Sequence, residues 1–363
     1  MSMVRGPSLA MISVVLAAQA ASGCGPDAAP PEAPRLEALP VLSPDLEGFP
    51  REFSVLVGAV LVDSTVVIAD RAEALVAALD WDHKQIARIG REGSGGPGEY
   101  RTVEGLIRFP GDTLVVRADR AWHLFTRDGW TYIRTERPPW LGLASRVSAG
   151  VDGQAVFVSG NLGGNPLDEL QEHPVVRLQG LERFDTITFV RVAETMDVPL
   201  DTEGGRAVFR RARPFSHRDL WAPGTGGELI VARTFDSSIE FLSPGSTTRQ
   251  NVSVPKTPIW PEERQEPDPR FDWDWPESKP GFGAGGVVVD NLSGQAWVPI
   301  NENIRHATRD YVVVDRRQGA RILVRFPIGF RLFGVGDEYG YGSMTDAETG
   351  LVKILRFSVR GLR

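Results

Sequence analysis

The sequence predicts an all-β fold, a β-propeller of six blades with four antiparallel strands each, and three observations support this prediction. Short β-branched or aromatic stretches, each preceded by turn residues, recur along the chain, and the two clearest copies lie about 48 residues apart. Turn sequences rich in Gly, Asp and Asn separate these stretches. After residue 34, no stretch shows a convincing helical periodicity. Repeating four-stranded units of this length are what propellers are built from.

The clearest internal repeat joins the first two predicted blades. Residues 65–72 read TVVIADRA, and residues 113–121 read TLVVRADRA. Related strand openings follow at 153–158, 227–231 and 294–298. The predicted blades cover about 53–90, 103–136, 145–193, 217–254, 285–327 and 330–360.

Residues 89–100, IGREGSGGPGEY, resemble the linker between blades in NHL-type six-bladed propellers. The Ala-Asp-Arg ending of both repeats is similar to the end of the second strand in that family, and 287–359 is similar to the last two blades of exported bacterial members. The resemblance covers most of 53–360 and implies six blades. A phosphate-binding loop is rejected for 90–98, because the stretch lacks a Lys-Ser/Thr ending and Pro97 stands where a helix would begin.

The N-terminus has the three parts of a secretory signal: a cation at Arg5, a short apolar run over 9–18, and small residues at 21–23. The run is too short to cross a hydrocarbon core as a helix, which needs about 20 residues. Cys24 follows, and it is the only cysteine in the chain. This segment resembles the lipobox of bacterial lipoproteins, in which the cysteine is acylated, although Ala21 stands where that family usually has Leu. The alternative is a soluble secreted protein with a free thiol.

These observations predict three segments. A lipoprotein signal peptide covers 1–23, a Pro-rich tether covers 24–34 from the lipidated Cys24, and the propeller covers 35–363. The tether is almost without large apolar residues and cannot bury a core, so we expect a semi-rigid spacer. The expected location is the bacterial cell envelope, with the lipid holding the chain on the periplasmic side of either membrane or at the cell surface.

The composition narrows the range of partners. A formal net charge of −7 argues against a general nucleic-acid binder, which usually carries a basic excess. A single cysteine cannot form an internal disulfide, so lipid attachment is the use we expect for it. We expect a monomer whose partners are the membrane, through the anchor, and a protein or small-molecule ligand of unknown identity.

The candidate working surface is the face that carries the long loops. In a four-stranded meander, the connection between strands two and three and the connection to the next blade emerge on one face. In this chain those connections hold the long segments, and function concentrates on loops held by a rigid scaffold. One long loop, over 194–216, is basic, and another, over 259–282, is acidic and rich in Trp. Arg can anchor a carboxylate or phosphate, and Trp gives an amphipathic contact. The candidate binding residues are Arg210, Arg211, Arg213, His217, Trp260, Trp273, Trp275, Asn303 and His306.

Three other interpretations stay open. The two loops could pair with each other and only brace the fold, or the propeller could be a structural docking component of an envelope assembly. Some propeller relatives are metal-dependent lyases or lactonases, so an enzyme is a further alternative. We predict no cofactor and no catalytic residue, while calcium or zinc on the propeller axis is left open. His217 with Asp219 is a weak candidate for metal binding.

Two further expectations concern strands. The last unit has room for only three strands, so we expect residues 35–41 to supply its outermost strand, where Pro40 is tolerated at an edge. Pro299 falls inside a predicted interior strand and deletes a ladder hydrogen bond, so a bulge or an early strand end is expected there.

Overall fold

The structure is a computed structural model that describes most of the chain after the tether. The described residues are 35–362 except 63, 110–112, 143, 151–154, 161–171, 180–182, 203–204, 255–256, 265–274 and 284, with the side chains of 145 and 196–211 also outside the description. The predicted signal peptide and tether therefore lie outside the described residues. No helix in the described part of the chain is long and apolar enough to cross a membrane.

Six four-stranded antiparallel sheets form the blades of a propeller, which confirms the predicted fold class. From the innermost strand outward, blade 1 contains Leu56–Val62, Thr65–Asp70, Leu75–Asp80 and Gln85–Arg88; blade 2 contains Val103–Phe109, Thr113–Ala118, Ala121–Thr126 and Tyr132–Glu136; blade 3 contains Ala144–Ala149, Val156–Gly160, Glu172–Gln179 and Arg183–Arg191. In the same order, blade 4 contains Leu220–Pro223, Leu229–Arg233, Ser238–Ser243 and Ser246–Asn251; blade 5 contains Val288–Val289, Ala296–Pro299, Thr308–Asp315 and Gly319–Pro327; blade 6 contains Arg331–Val335, Tyr339–Thr345, Val352–Ser358 and, outermost, Glu47–Phe53.

Short elements lie between and beside the blades. A hairpin of Thr195–Thr202 and Gly205–Ala212 connects blades 3 and 4. Two 3₁₀ turns, two two-residue strands in the glycine-rich linker and one two-residue edge strand complete the described elements: Leu36–Ala38, Pro261–Glu263, Arg91–Glu92, Glu99–Tyr100 and Val41–Leu42.

The apolar core is divided into six clusters, one at each junction between neighbouring blades. Trp122 of blade 2, for example, is fully buried against Trp140, with ring centroids 5.3 Å apart. Because both faces of a blade pack against neighbours, its middle strands contain continuous apolar runs that do not alternate. The run from Val66 to Ala69 is completely buried for this reason.

The innermost strands of successive blades contact one another around a central channel. Blades 1 and 2 approach most tightly at Gly58, where a Cβ atom would lie 2.9 Å from the backbone nitrogen of Leu106. A side chain at this position would push the two inner strands apart. The channel encloses about 340 Å³ and is lined by residues from the innermost strands of all six blades.

Where the structure describes them, tight turns join the strands on the short-turn face, as the Gly and Asp/Asn pattern predicted; the turn predicted at 151–153 lies outside the described residues. Asp315 accepts hydrogen bonds from the N–H groups of Arg317 and Gln318, and Gly319 closes that turn with a φ of 76°. L-residues other than Gly rarely adopt such a φ. The early strand end expected at Pro299 is also confirmed, since Ala296–Pro299 stops there.

The closing strand of the ring differs from the prediction. Residues 35–41 were expected to complete blade 6, but Glu47–Phe53 occupies that position, antiparallel to Val352–Ser358. The earlier segment serves blade 5, where Val41 and Leu42 pair in parallel with Leu323 and Val324. Proline is tolerated in an outermost strand, and this rule led to the segment that contains Pro40. The strand that closes the ring contains a different proline, Pro50.

We predict that the two N-terminal segments differ in their effect on stability. A chain beginning at residue 54 loses the closing strand and the burial of Phe49 and Phe53, and it is expected to lose cooperative unfolding or most of its Tm. A chain beginning at residue 43 loses only the short edge strand and the packing of Leu36, so a smaller decrease is expected. Thermal unfolding followed by circular dichroism measures both. Equal effects would contradict the assignment of Glu47–Phe53 as the closing strand.

Candidate ligand site at the mouth of the channel

The residues predicted from the basic loop lie on the long-loop face, mostly outside a common cavity. Arg210 and Arg211 belong to the hairpin strand Gly205–Ala212, and their side chains lie outside the described residues. Arg213 is exposed, with its guanidinium 3.6 Å from the Glu194 carboxylate. His217 is half-buried, its Nδ1 lies 3.2 Å from the carbonyl oxygen of Thr234, and its ring meets Phe235 edge-on.

The Trp-rich loop is held by its own neighbours. The guanidinium of Arg305 lies 3.6 Å from the ring centroid of Trp260. Trp273 lies outside the described residues. The side chain of Asn303 accepts hydrogen bonds from the N–H groups of Arg305 and His306, and the His306 side chain is exposed. These contacts form a turn of blade 5 and do not converge on a cavity.

The two loops contact each other. Trp275 packs against Phe215 with ring centroids 6.1 Å apart, and the ammonium of Lys279 lies 5.7 Å from the same Phe215 ring. Lys279 is almost fully buried; it forms an ion pair with Glu263 and donates a hydrogen bond to the carbonyl oxygen of Glu302. The contact expected from a bracing role is therefore present in the described residues.

A cavity of about 560 Å³ opens at the long-loop end of the central channel. Residues of blades 3, 4, 5 and 6 line it, and five of these are arginines: Arg146, Arg191, Arg218, Arg309 and Arg331. We call it the mouth cavity. Its two carboxylates, Asp219 and Glu302, are both engaged in ion pairs, at 2.9 Å from Arg233 and 3.3 Å from Arg309 respectively.

Arg146 forms the floor of the mouth cavity. It belongs to the innermost strand of blade 3, and its guanidinium lies 4.4 Å from the ring centroid of Trp221 in blade 4. Toward blade 5, a Cβ atom at Gly286 would lie 3.4 Å from Arg146 Nη2. The side chain therefore reaches across the channel and lines both the mouth cavity and the channel below it. Burial, together with the positive charge of Arg218, lowers the pKa of Arg146 to about 10.

The Asp219 carboxylate, considered for metal binding from the sequence, has a structural role. It accepts hydrogen bonds from the backbone N–H groups of Arg191 and Thr234 and pairs with Arg233. His217 is turned to the Thr234 carbonyl. Among the described residues, no group of three or more His, Cys, Asp or Glu side chains is placed to hold a metal ion.

Sequence reasoning missed the arginines of the mouth cavity. They are far apart along the chain and converge only when the ring closes. A signal was nevertheless present, because Arg146, Arg218 and Arg331 each lie within two residues of the start of an innermost strand.

A larger cavity, of about 1010 Å³, opens on the opposite, short-turn face between blades 6 and 1. Two aromatic residues that line it, Trp81 and Tyr339, are in contact with Arg356. The guanidinium of Arg356 lies 4.8 Å from the ring centroid of Trp81 and 4.5 Å from that of Tyr339. Arg356 is in turn paired with Glu47 of the closing strand at 2.7 Å. These residues fasten the closing strand to blade 6, so we assign this region mainly to ring closure.

Comparisons with known proteins contribute little beyond the fold. No protein-family model matches the chain, and no curated protein matches it. Among solved structures, an exported protein of Bacteroides fragilis has a TM-score of 0.46 at 12% identity, covering 88% of this chain and 99% of that one. A catalytically inactive virginiamycin B lyase of Staphylococcus aureus has a TM-score of 0.43 at 11% identity, covering 86% and 98%. The calcium-binding protein regucalcin of Agrobacterium tumefaciens has a TM-score of 0.45 at 9% identity, covering 88% and 96%. With values this low, the function must be inferred from the chain's own residues.

The buried ion pair between Lys279 and Glu263 makes a testable prediction about stability. Replacing Lys279 by Met leaves the Glu263 carboxylate buried without its cation, and such a loss typically costs about 3–5 kcal/mol of unfolding free energy. Arg360→Met removes an exposed ion pair with Glu338 and is expected to leave stability nearly unchanged. Urea unfolding of both variants measures the difference. Equal stabilities would show that the ion pair of Lys279 with Glu263, which lies within the Trp-rich loop, does not stabilise the fold.

Proposed function

We propose that this chain is an exported, lipid-anchored cell-envelope protein whose NHL-like propeller binds a ligand or a partner protein through its long-loop face. The mouth cavity carries this proposal. It lies on the face that holds the long loops, it draws residues from four blades, and its volume is in the range of small-molecule sites, roughly 300–1,000 Å³. A rigid ring that presents such a cavity is suited to binding a ligand or a partner protein.

The anchor part of the proposal rests on Cys24, which follows a short apolar run and small residues as in a lipobox. The first described residue, Arg35, bridges to Ser253, just after the outermost strand of blade 4. That strand ends on the long-loop face, so Arg35 lies on the same side of the ring as the mouth cavity.

A ligand-binding role is favoured over a docking disc by the distribution of exposed apolar side chains. A docking surface needs a broad contiguous apolar patch. The exposed large apolar side chains of the described residues are spread over both faces and the rim: Val41, Val55, Ile133, Phe184, Phe189, Phe235, Leu292 and Ile328.

The anchor predicts a change in fractionation. Wild-type protein is expected in the membrane fraction, with Cys24 acylated by more than one chain because a single chain binds only marginally. Cys24→Ser is expected to become soluble or to remain unprocessed. Cell fractionation and mass spectrometry of the N-terminal peptide measure both properties. Wild type in the soluble fraction with a free thiol would contradict the anchor.

The binding face can be tested by filling one cavity at a time. Ala193 lines the mouth cavity, and Ser64 lines the cavity on the short-turn face. In a thermal-shift screen of small molecules, hits that stabilise the wild type are expected to lose their effect with Ala193→Trp and keep it with Ser64→Trp. The unliganded Tm of both variants controls for folding. Loss of the effect with Ser64→Trp alone would place binding on the opposite face.

A further inference from the structure

The mouth cavity carries more positive charge than its own carboxylates can balance. In the described part of the chain, no carboxylate lies within ion-pair distance of Arg146, Arg191, Arg218 or Arg331. Asp219 and Glu302 are already paired with other arginines. This local excess stands in a chain with a net charge of −7. A concave site lined by one sign of charge focuses the field and concentrates ligands of the opposite sign.

Arg146 is held ready for a ligand. The Trp221 ring supports one side of its guanidinium, and Gly286 lies beside Nη2. Another cation of the cavity, Arg218, disfavours the charged form of Arg146. An uncompensated, partly buried cation beside a like charge destabilises the folded protein. A bound anion would remove that cost.

The donor set indicates the class of ligand. A guanidinium is a planar fork of N–H donors that matches the two oxygens of a phosphate or carboxylate. Four such groups around one cavity favour a multiply charged oxyanion over a neutral or cationic molecule. The volume of about 560 Å³ admits a small organic molecule bearing the anion.

We propose that the mouth cavity binds a multiply charged oxyanion, of the phosphate type, with Arg146 at its floor and Arg191, Arg218 and Arg331 around it. This inference rests on the proposed function, because it names the ligand class of the same face. Both a soluble organic phosphate and the phosphate headgroup of a lipid offer this chemistry, and Arg35, the first described residue, lies on the same side of the ring.

The test uses the mature chain with Cys24→Ser, so that no acyl chain contributes. Isothermal titration calorimetry with inorganic pyrophosphate and with citrate probes the soluble anions, and sedimentation with phosphatidylglycerol vesicles probes the headgroup. Arg146→Gln removes the fork and Arg146→Lys keeps only the charge. Arg218→Gln removes the neighbouring cation. Arg317→Gln, an exposed arginine in a turn on the short-turn face, is the matched control.

We expect one anion per chain, with at least about tenfold weaker binding for Arg146→Gln and Arg218→Gln and unchanged binding for Arg317→Gln. Arg146→Lys is expected to be intermediate, since it retains charge without the planar geometry. Binding should weaken from 50 to 200 mM NaCl, as screening predicts. Binding of vesicles alone, with the same dependence on the variants, assigns the site to a lipid headgroup.

Two results would overturn the proposal. The first is absence of binding by both soluble anions and by the vesicles. The second is binding that Arg146→Gln leaves unchanged while the variant keeps its Tm, which would reduce Arg146 to a stacking partner of Trp221. Neither result affects the test of the long-loop face by Ala193→Trp, so failure of the ligand class and failure of the binding face can be told apart.

Discussion

Ring closure is the constraint on which the rest of the molecule depends. Blade 6 takes only three strands from the C-terminal end of the chain, and its fourth, Glu47–Phe53, comes from the N-terminal side. That pairing joins residues about 300 positions apart, and Arg356 adds an ion pair to Glu47 across the same two strands. Each core cluster lies between two neighbouring blades, so a broken closure exposes a whole cluster, with Phe53 and Ile354 at its centre. The channel and its mouth exist only while the ring is closed.

Carboxylates at the ends of strands link the fold to the site. Asp70 and Asp119, from the Ala-Asp-Arg repeats, accept N–H groups of the segments that enter the innermost strands of their own blades, at Ser54 and Thr102 for example. Asp219 does related work between blades: it accepts the N–H of Arg191 at the end of blade 3 and pairs with Arg233 of blade 4. The same carboxylate therefore holds in place the backbone that carries two of the mouth arginines, Arg191 and Arg218.

Local patterns in the sequence predicted the blades, and long-range pairing was harder to predict. The repeats, the turn at Gly319 and the strand end at Pro299 were readable because each depends on a few neighbouring residues. The closing strand was misplaced by about ten residues, since Pro40 and Pro50 satisfy the same edge-strand rule and nothing local distinguishes them. The mouth arginines could not be predicted for a related reason. The geometry of the blades brings them together, and no spacing along the chain indicates that they are close in space.

The charge distribution separates the roles of the two faces. A chain with a net charge of −7 is repelled as a whole by anionic membrane lipids, and that repulsion is screened within about 10 Å at 0.1 M salt. The mouth cavity concentrates cations on the long-loop face, whereas acidic side chains such as Asp82 and Glu338 lie around the cavity on the other face. Of the two faces, the long-loop face is therefore the one whose cavity favours an anionic ligand or headgroup. On the short-turn face, Arg356 is already paired with Glu47 and lies over the Trp81 ring, so its charge serves ring closure.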